Sequence, residues 1–306
     1  MITDRWYEQW RGAQTVRHAE YVKRRLAADV LPMIGDRPIG EITARDLVAI
    51  AEKVQERDAL ELARRSIQYC GQVFRWAVAR DLVERNPAAD VKPRDVLKPR
   101  DRRNYARLPA KDVPELLRKI EGYSGAYTRL AMKLMALTFV RTGELIAARW
   151  DEFENLDGNG ALWRIPAARM KMKTEHLVPL SRQAVDVLRS LHEIRGQSGL
   201  LFVGERNHEK PMSNNTILKA LERMGFKGRM TGHGFRGVAS TELHEMGFPH
   251  EWIELQLAHQ ERDQVAAAYN HASYLAQRRK MMQAWADRLD ELRQGAKVVP
   301  IAAARA

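Results

Sequence analysis

Sulfur chemistry is almost absent from this sequence: Cys70 is the single cysteine in 306 residues. That excludes an intramolecular disulfide and any zinc site built from several thiolates. A metal would have to rest on histidine and carboxylate ligands, and His244-Glu245 lacks the second histidine of a zinc-protease helix because Phe248 occupies its place. Long apolar runs are missing too. Even Leu130 to Val140 is interrupted by Lys133, short of the roughly 18 apolar residues a membrane span needs. Met1 to Trp10 mixes charges with aromatics where a signal peptide would have an apolar centre, so a cytoplasmic location is expected. No P-loop and no G-x-S-x-G nucleophile elbow occurs. Negative charge is also short: 39 Asp plus Glu stand against 51 Lys plus Arg, a formal net charge of +12.

What is present suffices for a folded core. With 45% hydrophobic and 29% charged residues the chain is not disordered throughout, and its length suggests about two domains at roughly 150 residues each. The positive excess points to a polyanionic partner, since Lys and Arg on phosphates release condensed counterions and attract the ligand at long range. The charge is also concentrated. Lys92, Arg94, Lys98, Arg100, Arg102, Arg103 and Arg107 face only Asp95 and Asp101 in one short stretch. Pro93 and Pro99 and the lack of an apolar period make this stretch an extended connection. The expected division is a first domain over 1–91, a basic linker over 92–108, a second domain over 109–293 and a loose tail over 294–306.

Apolar spacing gives each part its character. Ala19, Val22 and Leu26, then Ile67, Cys70, Phe74 and Val78, recur at helical intervals, so the first domain reads as all helical, with Thr43 capping a helix from Ala44 to about Glu56. In the second, Leu130, Leu134 and Leu137 mark a buried helix. Asp157-Gly158 and Asn159-Gly160 form the turn of a small hairpin, and Glu175 to Leu180 reads as a further strand. Ser181 caps a helix whose apolar face is Val187, Leu191 and Ile194, and the pattern stays helical from Ser213 to about Arg293. Its last segment places Met282, Trp285, Leu289 and Leu292 on one side, a face that either folds back or docks on a neighbouring protomer.

Several polar residues stand out against this frame. Gly232-His233-Gly234-Phe235-Arg236-Gly237 fits the dinucleotide template, with Glu254 at a plausible distance, but the short basic segment before it is no apolar strand, which argues against that fold. The same residues put His233 and Arg236 three apart at a helix start, able to face one anion or simply to be solvated. Arg141 opens R-T-G-E-L at the end of the buried run, beside Glu144, a geometry that also fits a capping salt bridge. Lys171 and Lys173 alternate with Met170 and Met172, so on a strand both lysines would face one way, as ligand contacts or as edge guards. His259 ends an apolar helix in L-A-H, and Tyr269 follows in A-A-A-Y-N-H.

Taken in order, Arg141, Lys171, His233-x-x-Arg236, His259 and Tyr269 resemble the catalytic set of the tyrosine recombinase (phage integrase) family, in the contexts R-T-G-E-L, V-P-L-S, H-G-F-R, L-A-H and A-Y-N. The resemblance covers the whole second domain, and the helical first domain and basic connector look like the family's core-binding part. The family's strand lysine stands eight residues before the position of Pro179, which selects Lys171 over Lys173. The implied fold is mainly α with a small β-sheet: a two-domain DNA clamp of a helical, SAM-like core-binding domain and an α+β catalytic domain.

The resemblance also implies an enzyme, a site-specific recombinase that uses no metal and no cofactor. Arg141 and Arg236 would hold the nonbridging oxygens, since a planar guanidinium binds two at once. Tyr269 would attack to form a 3′-phosphotyrosine, His233 would accept its proton, Lys171 would protonate the departing 5′-oxygen, His259 would donate to the phosphate, and Glu144 would orient its neighbours. Lys92, Arg94, Lys98, Arg100, Arg102, Arg103 and Lys173 are the expected DNA contacts. The implied partners are double-stranded DNA attachment sites, other copies in a tetramer on DNA, and a DNA-bending host factor or excisionase; no membrane is involved. The segments around Lys171, His259 and Tyr269 look most like prophage integrases that insert at tRNA genes. Those carry a further domain ahead of the core-binding part, whereas Met1 to Gln14 runs almost directly into the first helix, so cleavage and binding at core-type sites are expected without full integration by this chain alone. The same chemistry serves type IB topoisomerases, and a non-catalytic DNA-binding protein could share the fold.

Overall fold

The computed structural model describes residues 1–99, 106–158, 160–170, 173–194, 196–259 and 274–295. Lys171, Tyr269, Arg100, Arg102 and Arg103 lie outside the described residues. The chain divides into two compact units, Met1–Arg102 and Arg103–Ala306.

The described part of the first unit is helical: α1 (Ile2–Arg11), α2 (Val16–Arg25), α3 (Leu31–Ile34), α4 (Ala44–Gln55), α5 (Leu60–Val78) and the single turn α6 (Pro93–Val96). Helix α4 starts where the sequence predicts, because Thr43 and Asp46 form a reciprocal cap: the Asp46 N–H donates to Thr43 Oγ1 and the Thr43 N–H to the Asp46 carboxylate, at 3.4 and 2.7 Å. Its Leu47, Ile50, Ala51 and Val54 share a core with Ala63, Ile67, Cys70 and Phe74 of α5. One expectation changes here. The start of the basic stretch is not extended: Pro93, suited to a first helical position, opens α6, and the apolar residues Val91 and Leu97 on either side are buried in this unit's core.

The second unit contains α7 (Val113–Glu121), α8 (Ala126–Thr138), α9 (Thr142–Ile146), β1 (Phe153–Glu154), β2 (Leu162–Ile165), β3 (His176–Pro179), α10 (Arg182–Ile194), α11 (Asn214–Leu221), α12 (Gly234–Glu245), α13 (His250–Gln256) and α14 (Leu275–Gln294). The strands form one antiparallel sheet in the order β1-β2-β3, with Trp163 opposite both Phe153 and Val178. The hairpin and Ser181 cap are as the sequence predicts; Ser181 Oγ accepts the Ala184 N–H at 3.3 Å. Helix α8 runs through the core, buried from Leu130 to Thr138 except for Lys133, and Trp285 of α14 closes over it, donating its indole N–H to Ala136 O at 2.9 Å. Met282, Trp285, Leu289 and Leu292 are all buried in the same core as α8, so the amphipathic terminal helix folds back on its own unit rather than waiting for a neighbour.

Two local readings fail. Ile194, the last residue of α10, is 42% exposed, because the helix ends there and its apolar face stops at Leu191. Lys173 is not on a strand. It adopts a left-handed φ of 57°, and its N–H returns to Met170 O at 3.1 Å, so the chain turns there before β3 and strict alternation is lost.

Candidate active site

The site begins where α8 stops. Phe139 takes a left-handed φ of 40° after the helix, its N–H closing on Met135 O at 2.8 Å, and two residues later Arg141 caps α9. Glu144, 6% exposed, accepts both the Arg141 backbone N–H at 2.9 Å and its Nη1 at 2.7 Å. The pair is thus a cap and a clamp together: it fixes backbone and guanidinium from one carboxylate. The other arm, Nη2, donates to Ala258 O at 2.9 Å.

Arg236 lies in the first turn of α12 and is 3% exposed. Its Nη1 donates to Phe139 O at 2.9 Å and its Nη2 to Leu257 O at 2.6 Å. These acceptors belong to the ends of α8 and α13, where helix carbonyls lack intrahelical partners and carry the negative pole of the helix dipole. The two arginines therefore converge: they hold the carbonyls of consecutive residues, Leu257 and Ala258. Desolvation, reinforced by the charge of Arg141, pulls the Arg236 guanidinium down to about 10, so it stays cationic at neutral pH. Its Nε is buried with no hydrogen-bond partner among the described residues.

His259 completes the edge. Its Nε2 is 3.0 Å from Arg236 Nη2 and its Nδ1 2.9 Å from Glu254 Oε2. A guanidinium only donates, so Nε2 accepts and Nδ1 donates to Glu254. In this arrangement His259 has no N–H left for the expected donation to a phosphate, which would require Nε2 to part from Arg236 and take up a proton. His233 precedes α12, and burial followed by the fields of Arg236, His259 and Arg141 holds its imidazole below the ordinary histidine range. Four of the six expected catalytic residues are thus within one electrostatic neighbourhood. Lys92, Arg94, Lys98 and Lys173 are exposed. Among the described residues no cluster of three or more His, Cys, Asp or Glu could hold a metal.

The sequence reading missed Glu254 as a partner of His259, and it missed a buried trio, His176, Gln256 and Arg278. Arg278 gave no signal: in the run Arg278-Arg279-Lys280 at a helix start it reads as a solvated charge. His176 reads as a strand residue, yet burial and then the charges of Arg278, Arg141 and Arg236 push it down to about 3.

Two guanidinium groups fixed by carbonyls and flanked by two imidazoles form a cationic edge in a helical unit with one small sheet, an arrangement whose chemistry suits a phosphate-like anion. Residues 1–94 match the Phage integrase central domain and residues 106–275 the Phage integrase family. The chain belongs to the phage integrase family, the site-specific tyrosine recombinases that act in DNA integration. It is 40% identical over 295 residues to the prophage integrase IntZ of Escherichia coli (strain K12), covering 96% of this chain and 71% of that one. It is 42% identical to the integrase of Enterobacteria phage P4, covering 89% of this chain and 65% of that one. The fold is also that of a lambda integrase solved as a tetramer bound to a Holliday junction, with a TM-score of 0.68, 18% identity, and 86% of this chain and 77% of that chain covered.

Proposed function

We propose that this chain cleaves and rejoins duplex DNA at the attachment sites of a mobile element through a 3′-phosphotyrosyl intermediate on Tyr269. The observation that carries the reading is the convergence of Arg141 and Arg236 on the carbonyls of Ala258 and Leu257, with His259 hydrogen-bonded to Arg236. Such preorganised cations stabilise charge as it gathers on a pentavalent phosphorus, without the reorganisation that water would need. Tyr269 Oη bonds to phosphorus while the P–O5′ bond breaks. The phenol proton passes to His233, kept neutral by burial and then by the charges of the neighbouring arginines, and Lys171 supplies a proton to the leaving 5′-oxygen. A 5′-hydroxyl from another strand reverses these steps, so the diester's energy is retained and no cofactor is consumed.

The first unit would bind the core-type site, with its Lys92, Arg94, Lys98, Arg100 and Arg102, continued by Arg103 of the second unit, along the backbone of the DNA and Lys173 near the cleaved strand. Because the similar lambda integrase is a tetramer on its junction, we assign strand exchange to four copies on paired sites, assisted by a DNA-bending protein or an excisionase. tRNA-gene attachment sites are the first duplexes to test. The decisive experiment uses a duplex nicked next to the cleavage point, so that the freed 5′-end diffuses away and the covalent complex is trapped. The expected result is a denaturant-resistant protein–DNA adduct, lost in Tyr269→Phe; an intact duplex with wild-type protein would refute the reading. Relaxation of supercoiled plasmid without strand exchange would instead indicate topoisomerase chemistry.

A further inference from the structure

Three buried polar side chains, Arg278, Gln256 and His176, bond to the segments that hold the two arginines. Arg278, in the first turn of α14, is 3% exposed. Its Nη2 donates to Leu177 O at 2.5 Å and to Gln256 Oε1 at 2.6 Å. Gln256 is fully buried and directs its amide nitrogen to Thr138 O at 3.5 Å. His176 is hydrogen-bonded to the backbone of Gln256. These contacts fall next to the carbonyls that grip the site arginines. Gln256 directly precedes Leu257, whose carbonyl holds Arg236, and Ala258, whose carbonyl holds Arg141, follows; Thr138 directly precedes Phe139, the second acceptor of Arg236.

Arg278 is costly to bury. No carboxylate among the described residues pairs with it, its Nε has no partner there, and desolvation pulls it down to about 10. A buried cation without a counter-charge weakens a fold, and an apolar side chain of similar volume would pack there at less cost. What an apolar side chain could not do is hold β3 and the end of α13 by two hydrogen bonds from one guanidinium nitrogen, Nη2. The fields of Arg278, Arg141 and Arg236 also overlap, since all three depress His176. In sequence Arg278 stands nine positions after Tyr269.

We infer that Arg278 is a positioning residue for strand cleavage: through Gln256 it fixes the carbonyls of Leu257 and Ala258, and through them the two guanidinium groups that face the scissile phosphate. The inference rests on the reading given under Proposed function and adds a residue to it.

The test is single-turnover cleavage of the nicked duplex by wild type and Arg278→Met, with an ordinary scissile phosphate and with a methylphosphonate, in which a methyl group replaces one charged oxygen. With the ordinary phosphate, Arg278→Met should slow adduct formation by about tenfold or more, as expected for slightly misplaced catalytic groups, while duplex affinity stays within about twofold. On the methylphosphonate, where less charge develops for the arginines to meet, the penalty should shrink to about twofold, the coupling expected of groups acting on the same charge. Arg278→Lys, which keeps a buried cation, carries the same comparison should the Met variant not fold. Equal penalties on the two substrates, or wild-type rates in both variants, would overturn the inference while leaving the recombinase chemistry standing. No adduct with wild-type protein would overturn that chemistry, and this role with it.

Discussion

Arg236 meets two opposed demands. In the proposed role it must stay charged to oppose a phosphate, yet it is almost wholly buried, and the carbonyls of Phe139 and Leu257 replace the water it has lost. Substituting Lys keeps the charge and discards the fork, so Arg236→Lys should lower the cleavage rate by about 10²–10³, the usual cost of losing one preorganised donor, measured as adduct formed per unit time. The histidines give pH dependences of known sign. With His233 as proton acceptor and its imidazole held below the ordinary range, the acid limb of the cleavage profile should lie below about 6.5, the usual histidine value; a limb above that value would remove His233 from the role. His176 acts on stability instead. The folded chain keeps it neutral down to about 3, whereas the unfolded chain protonates it near 6.5. Between those values the unfolded state binds more protons, so stability falls as pH drops from about 6.5 toward 3, by up to about 1.4 kcal/mol per unit. Denaturant titrations at several pH values should show that slope, flattened in His176→Leu.

Helix ends organise the site at the scale of elements. Helices α8 and α13 stop where their last carbonyls can meet cations, with Phe139 and Ala258 held at left-handed φ angles of 40° and 49° so that the chain turns away at once. The start of α9 is equally constrained. Gly232 packs so closely against it that a Cβ there would stand 2.5 Å from Thr142 Oγ1. Gly232→Ala should therefore push aside the residue next to Arg141 and reduce cleavage by about tenfold or more, since sub-ångström displacements of catalytic groups are costly. Duplex binding by the same variant, measured by fluorescence anisotropy, should change little. In the first unit, Thr43→Ala removes half of a reciprocal cap and should cost about 1 kcal/mol in chemical denaturation.

For the whole molecule, charge and packing serve different ends. A net charge of +12 predicts duplex affinity that falls by roughly a thousandfold or more between about 50 and 200 mM salt, if six or more phosphates are contacted. Nearly flat salt dependence would contradict the basic stretch as a backbone contact. Packing resides in the apolar cores. Trp285, 1% exposed and bonded to Ala136 O, ties the terminal helix to α8. Trp285→Ala should cost about 3–5 kcal/mol, seen as a lowered unfolding midpoint.

The sequence by itself determined the class of fold, the helical first unit, the capped start of α4, the small hairpin and the residue types of the site. These follow from local rules: apolar spacing, turn dipeptides, capping side chains and short motifs whose members lie within a few residues of each other. It also led to Arg141, His233, Arg236 and His259 through their motif contexts. Only the tertiary structure decided what holds them. Carbonyls 257 and 258 are more than a hundred residues from Arg141, and backbone acceptors carry no signature in the side-chain sequence. The same reason hid Arg278, Gln256 and His176, which read as ordinary surface or strand residues until burial revealed their desolvation and their partners. Whether the terminal amphipathic face meets its own core or another copy was likewise undecidable from spacing, because both partners offer the same apolar surface; the fold settled it by placing α8 within reach.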